Sequence, residues 1–293
     1  MGGVPQGQAG RAAEGAGHYS RPQRGRGLSH PHAACGANGA GAQPVNRLAI
    51  IGGTGVDELE GLDIVAAHMP ETPYGQPSRA IQEGRLGGIG LLFLQRHGSP
   101  AMIPPHLINY RANLWALQAL GATDIVAINA VGGIAAGMLP GRLVIPDQLI
   151  DYTWGREHTV DDGNEGALRH IDFTEPYDPV LRAALLAAAA GAGIPCASSA
   201  VHGVTQGPRL ETAAEIQRMA RDGCDVVGMT GMPEASLARE LGLAYACVCM
   251  VVNPAAGLGQ EPISLQMMRA TLAREAAVVR MLLRALLQDR YGA

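Results

Sequence analysis

From Arg47 onward the chain alternates short apolar runs with helical patterns, and that order constrains the fold more than any other feature. The runs RLAII, GLLFL, DIVAI, RLVIP, AVHGV, DVVGM and YACVCMVV read as strands. Between them NYRANLWALQALGA, DPVLRAALLAAAAGAG, TAAEIQRMARDG and PEASLARELG read as helices, and LQMMRATLAREAAVVRMLLRALLQD closes the chain as a long one. Strands that are apolar almost throughout, separated by helices, predict an α/β fold with a largely parallel sheet covered on both faces. The 293 residues, 47% of them hydrophobic, suffice for one large domain or two small ones.

Residues 1–45 break the pattern. They are rich in Gly, Ala, Pro and Arg and nearly free of large aliphatic side chains, so they read as a disordered extension. The folded part is expected over 46–293.

The formal charge is −4, and all 22 basic residues are arginines scattered among 26 acids. Without a basic stripe, nucleic acid and anionic membrane surfaces are not expected partners. No apolar run reaches membrane-spanning length and no secretory signal is visible, so a cytoplasmic protein is expected. The cysteines are odd in number, at 35, 196, 224, 247 and 249. Cys247 and Cys249 share one face of a strand, but Cys-x-Cys with no second cluster and no nearby His is not a zinc spacing, and buried free thiols are expected. His158 stands among acids in GREHTVDDGNE without ligand spacing and reads as part of a solvated loop, so no metal is expected.

Several strands run directly into polar or glycine-rich signatures. RLAII leads into Gly52-Gly53-Thr54-Gly55, GLLFL into Gln95-Arg96-His97-Gly98, and DIVAI into Asn129-Ala130-Val131-Gly132-Gly133. DVVGM leads into Thr230-Gly231-Met232-Pro233-Glu234, and YACVCMVV stops on Asn253-Pro254. Proline lacks the N–H that continues a ladder, so the last strand is expected to end at 252 or 253. Ligands bind outside the carboxyl ends of strands in α/β sheets, so these endings should converge on one crevice.

The chemistry available there is that of an oxyanion site. The Gly52–Gly55 turn offers backbone N–H groups and the Thr54 hydroxyl. Arg96 offers a bidentate cationic fork with His97 beside it, unless Arg96 is a surface residue. Thr230 adds a hydroxyl near a helix start. Such a group suits a small free oxyanion, with phosphate the expected one. There is no nucleophile elbow, no His-Glu-x-x-His and no run of spaced carboxylates.

The segments IIGGTG, RHG, PPHLINYRANLWAL, NAVGG, GPRLET and GMTGMPEASLARELGLAYA resemble, in this order, the trimeric purine nucleoside phosphorylase and methylthioadenosine phosphorylase family. The resemblance runs from about residue 47 to the end. It implies a single-domain nucleoside phosphorylase fold, with a mixed, largely parallel central sheet flanked by helices, in a homotrimer. It implies attack of inorganic phosphate, as co-substrate and without other cofactor, on the anomeric carbon of a purine nucleoside. The partners are then small molecules. Carried over by position, Thr54, Arg96, His97, Ala130 through its amide, and Thr230 would bind phosphate. Met229 would lie beneath the ribose, and Leu210, Glu211, Asn253, Pro254 and Ala255 would surround the base. Asn253 and His97 would be the catalytic groups. His170 matches a residue that reaches a neighbouring subunit's sugar site, although a capping or surface role suits it equally.

The base pocket departs from the adenine-specific branch. There an aspartate occupies the position of Asn253, another stands two residues on, and a small hydroxyl residue replaces Glu211. This chain has Glu211, Asn253 and Ala255, the pattern of the 6-oxopurine branch. A 6-oxopurine presents an N1–H donor and an O6 acceptor, which suit a carboxylate and an amide NH₂. At the sugar's 5' end, Leu265, Met267 and Met268 stand where enzymes accepting a 5'-hydroxyl often place a His, and apolar side chains favour a methylthio group. Glu211 and Leu265 are thus the expected specificity residues, and S-methyl-5'-thioinosine the expected substrate. Methylthioadenosine or inosine phosphorolysis, and a non-enzymatic purine sensor, are the alternatives.

Overall fold

The computed structural model describes residues 46–56, 58–163 and 169–292. The extension read from composition, residues 1–45, lies outside the described residues.

Among them the strands are β1 (Leu48–Gly52), β2 (Asp63–His68), β3 (Ile81–Leu86), β4 (Ile89–Gln95), β5 (Asp124–Gly133), β6 (Leu143–Val144), β7 (Gln148–Asp151), β8 (Cys196–Ala197), β9 (Val201–Val204), β10 (Val226–Gly228) and β11 (Ala244–Pro254). The helices are α1 (Tyr110–Ala119), α2 (Pro179–Gly191), α3 (Ala213–Arg221), α4 (Gly231–Glu240) and α5 (Leu265–Tyr291). All strands belong to one sheet, ordered β2-β3-β4-β1-β5-β10-β9-β7, with β11 also pairing β5 and leading through β6 to β8. The central pairings of β1 with β4 and β5, and of β11 with β5, are parallel.

The apolar runs are continuous because both faces of the sheet are covered. Along β11, Tyr245, Cys247, Cys249 and Val251 face a core shared with α1 and α4. Their neighbours Ala246, Val248, Met250 and Val252 face a second core shared with α2 and α5. Period-two alternation therefore sorts each strand into two layers that are both dry. The helices begin where capping groups stand. Asn109, Asp178 and Thr212 accept a backbone N–H three residues on, at Ala112, Leu181 and Glu215.

Three differences from the sequence reading matter. The antiparallel run β2-β3-β4 includes two strands that carry no long apolar run, and β2 is largely exposed. Strand β5 continues through Asn129–Gly133 instead of stopping at Ile128, because β10 and β11 both pair with Gly132 and Gly133. Strand β11 runs to Pro254, one residue past the predicted end. The ladder slips between Val251 and Asn253, so Asn253 sits at a bulge opposite Gly132. A bulge turns a side chain out of strand register without ending the strand.

Candidate active site

The ends of β1, β4, β5 and β10 meet as the sequence predicts, and the contacts are tight. The Arg96 amide donates to the Gly52 carbonyl at 3.0 Å. Gly53 lies so close to its neighbours that a Cβ there would stand 2.3 Å from the Ile128 carbonyl oxygen and 2.6 Å from Arg96 Nη1. Only glycine permits that approach. Thr54 follows, half-buried at the turn.

Arg96, expected as a bidentate oxyanion donor or else a surface residue, is not at the surface, and its fork engages a protein group. It is fully buried, with Nε 2.6 Å and Nη2 2.8 Å from the two Glu234 carboxylate oxygens, and Nη1 2.9 Å from the Ile128 carbonyl. Its bidentate partner is thus a protein carboxylate. Tyr245 Oη also donates to Glu234, at 2.9 Å. Burial works against the charge on Arg96, and Glu234 more than offsets it, so the guanidinium is held firmly protonated. Glu234 lies 138 residues away in sequence, which is why the pairing could not be read there.

His97 is 8% exposed, and its Nδ1 lies 2.9 Å from the Ile103 carbonyl. A carbonyl only accepts, so Nδ1 carries the proton. Thr230 is 6% exposed at the N-cap position of α4, where its side chain makes no cap bond. Its hydroxyl donates instead to Asn129 Oδ1 at 3.2 Å, while Asn129 Nδ2 donates to Cys247 Sγ at 3.0 Å. Met232 breaks the helical geometry at the start of α4, which leaves Thr230 at a bend. Ala130 is half-buried on β5, opposite Met250.

The residues expected at the base and sugar are tied to these through one loop. Thr205 donates its hydroxyl to Glu211 Oε1 at 2.6 Å, and its amide to the Gly228 carbonyl at 2.8 Å, next to Met229. Glu211 is half-buried, Leu210 is 42% exposed, and Met229 lies against Gly207. Asn253 is 4% exposed, and its Nδ2 donates to the Pro254 carbonyl at 2.7 Å. The turn beyond Pro254 packs on the start of α3, where a Cβ on Gly257 would lie 2.5 Å from Ala213 Cβ. Glu211 and Asn253 are therefore on adjoining segments. Ala255, expected at the base, turns into a small core with Ile216 and Met219. His170 is exposed, and Leu265 opens α5 with its side chain outside the described residues.

One structural residue was missed entirely in the sequence. Arg156, 8% exposed, donates from Nη1 to the carbonyls of Met229 at 2.9 Å and Met232 at 2.5 Å, and to Tyr110 Oη at 3.2 Å. Its Nη2 reaches the carbonyls of Thr205 at 3.2 Å and Gln206 at 2.8 Å, and Nε reaches Gln206 Oε1 at 3.1 Å. It clasps the loop after β7 to both segments that carry Met229 and Glu211. An Arg amid GREHTVDDGNE gives no local sign of this.

A group of hydroxyls, amides and an imidazole gathered at strand ends, beside a sealed cation, has the chemistry to bind an oxyanion. The family model described as the phosphorylase superfamily matches residues 47–288, and the chain belongs to that family. It is 54% identical over 217 residues to a probable S-methyl-5'-thioinosine phosphorylase of Pseudomonas syringae pv. tomato, covering 74% of this chain and 88% of that one. It is 46% identical over 223 residues to a 6-oxopurine nucleoside phosphorylase of Pyrococcus furiosus, covering 74% and 83%. Among solved structures it superposes on a methylthioadenosine phosphorylase of Schistosoma mansoni in complex with adenine. The TM-score is 0.80, with 32% identity over 85% of this chain and 93% of that one.

Proposed function

We propose that this chain catalyses phosphorolysis of S-methyl-5'-thioinosine, giving hypoxanthine and 5-methylthioribose 1-phosphate. The observation that carries the reading is the Glu211 and Asn253 pair on adjoining segments, in place of the hydroxyl and aspartate of the adenine-specific branch. Phosphate is held by Thr54, His97, the Ala130 amide and Thr230. Arg96, sealed beneath Gly53, acts as a fixed positive charge under the anion and as the anchor of the turn.

A phosphate oxygen bonds to C1' as the C1'–N9 bond breaks, and the electron pair of that bond stays on the purine. The sugar passes through an oxocarbenium-like state, with phosphate as both nucleophile and counter-charge. Asn253 leaves the Pro254 carbonyl to donate Nδ2–H to O6, and as the departing base, carrying the electron pair, takes a proton from water at N7, Oδ1 accepts from that N7–H. Glu211, oriented by Thr205, accepts N1–H. Met229, Leu210 and Pro254 pack about the nucleoside, and Leu265, Met267 and Met268 receive the methylthio group. A homotrimer places His170 of one protomer at the sugar of the next. Exposed Trp154, Leu107 and Met102, at 73%, 65% and 67%, supply apolar surface for it. A cytoplasmic location agrees with the free thiols of Cys196, Cys224, Cys247 and Cys249.

The likeness to a methylthioadenosine phosphorylase favours one second reading, cleavage of methylthioadenosine. Turnover of methylthioinosine, methylthioadenosine, inosine and guanosine, side by side and with and without phosphate, decides between them. Methylthioinosine should lead, with strict phosphate dependence. A lead for methylthioadenosine overturns the base assignment, and turnover without phosphate overturns the phosphorolysis.

A further inference from the structure

Beneath Thr230, on the α1 and α4 side of the sheet, three metal-ligating side chains meet in a place with no solvent exposure. His202 of β9 and Cys247 and Cys249 of β11 are each 0% exposed, and one ligand atom from each lies within 4.8 Å of the others. The two sulfurs are 3.5 Å apart, and Cys249 Sγ is 3.9 Å from His202 Nδ1. The Tyr177 hydroxyl stands 3.2 Å from the same nitrogen. From the sequence, Cys-x-Cys lacked a nearby His. The fold supplies one from 45 residues upstream of Cys247.

We propose that His202, Cys247 and Cys249 form a binding site for a thiophilic divalent cation of the zinc class. Three observations point to it. The first is spacing: two sulfurs at about 2.3 Å from a tetrahedral ion lie about 3.8 Å apart, close to what is seen, whereas a disulfide needs about 2.0 Å. The second is a built cradle for the ring. A Cβ on Gly228 would lie 2.7 Å from His202 Nε2, and one on Gly231 would lie 3.1 Å from Nδ1. Glycine at both positions admits the imidazole and leaves Nδ1 turned to the thiols.

The third observation is charge. Two thiolates and one divalent ion sum to zero, which a fully buried place tolerates, whereas a monovalent ion would leave a net negative charge there. An entering ion takes both sulfurs as thiolates and the Nδ1 lone pair, and the thiol protons pass to solvent. One coordination position remains, beside Tyr177 Oη. The ion would join β9 to β11, which share no ladder because β10 and β5 lie between them.

The test is a titration of the full chain, reduced and stripped of metal, with cadmium chloride, read by the ultraviolet charge-transfer absorption of cadmium–thiolate bonds. The wild type should saturate at one equivalent per chain. Cys196→Ala with Cys224→Ala should leave that titration unchanged. Cys249→Ala, the smaller change, should lose about half the absorption and weaken binding at least tenfold, and Cys247→Ala with Cys249→Ala should abolish saturable binding. No saturable absorption in the wild type, or an unchanged titration in Cys249→Ala, overturns the site. Because Cys249→Ala fills the same core with a small apolar group, its result stands if the double variant does not fold.

Discussion

Arg96 and Glu211 are charged residues assigned to opposite ends of one nucleoside site, yet the fold treats them in opposite ways. Arg96 follows a central strand, is fully buried, and is fixed by Glu234, Ile128 and the Gly53 turn. Glu211 lies in a loop before α3, is half-buried, and is oriented by one hydroxyl, that of Thr205. On the proposed roles, the phosphate end is a sealed floor made by strand ends, and the base end is a rim made by loops. Binding an invariant anion suits a rigid floor, while choosing among bases suits a rim that can change without disturbing the core.

The largest effect should come from breaking the floor. Arg96→Ala strands the Glu234 carboxylate in a dry core, and removal of one partner of a buried pair costs about 3–5 kcal/mol. Urea unfolding should show a loss of that size. Replacing both partners, Arg96→Met with Glu234→Leu, should recover much of it while abolishing turnover, because the charge under the anion is gone. If Arg96→Ala raises the phosphate KM and leaves stability unchanged, Arg96 is an exposed donor and the contrast with Glu211 collapses.

Arg156 comes next, because it ties floor to rim. Arg156→Ala leaves the carbonyls of Met229, Met232, Thr205 and Gln206 without this donor, so at least about 2 kcal/mol of stability should be lost. Water can fill the vacated space, which keeps the loss below that at Arg96. Amide exchange should quicken in the 205–211 and 229–232 segments and not in β1. Uniform quickening would mean that Arg156 serves global stability and not the clasp.

The base exchange should be smaller in energy but plain in specificity. One buried hydrogen-bonding group left unpaired costs about 1–3 kcal/mol, so the unmodified enzyme should prefer methylthioinosine over methylthioadenosine at least about tenfold in kcat/KM. Glu211→Ser with Asn253→Asp should reverse the preference, with little change in the urea midpoint. Loss of both activities at an unchanged ratio would make Asn253 a turn residue and leave the rim without a reader of bases.

The same contrast explains what could be read from the sequence. Strand-borne features are legible, because a continuous apolar run marks a strand covered on both faces and the end at which polar residues appear: β1, β4 and β11, and the meeting of the segments that carry Thr54, Arg96 and Thr230, follow from that. The polar hairpin strands β2 and β3 were not, since neither carries a long apolar run and β2 packs on little. Nor were pairings such as Arg96 with Glu234, Arg156 with Met229, or His202 with Cys249, which depend on where the chain returns after tens of residues. By its sequence the Asn253-Pro254 ending reads as a stop. It is a bulge, because β5 extends far enough to pair with it.

The smallest effect probes what holds the rim. Helix α3 begins at a capping box, in which Thr212 Oγ1 accepts from the Glu215 amide at 3.1 Å and Glu215 Oε2 accepts from the Thr212 amide at 2.7 Å. Arg209 adds a bidentate pair to Glu215, at 2.8 and 2.7 Å, on the surface beside Glu211. Arg209, and then the Thr212 amide, hold the Glu215 carboxyl down to about 2 from an ordinary 4.5. A carboxyl with a depressed folded pKa stabilises the fold above its unfolded pKa and loses that contribution as pH falls toward the folded one. Glutamine can also close a capping box, so Glu215→Gln removes the ion pair and spares the cap. The pair is exposed and screened, so only a few tenths of a kcal/mol are at stake, a melting shift below about 2 °C at pH 7. That shift should be flat from pH 7 to about 5 and shrink as pH falls below 4.5 toward 2. A larger shift at pH 7, or one that persists undiminished at pH 3, would show that Arg209 and Glu215 anchor the rim as firmly as Glu234 anchors the floor, and the two ends of the site would not differ in kind.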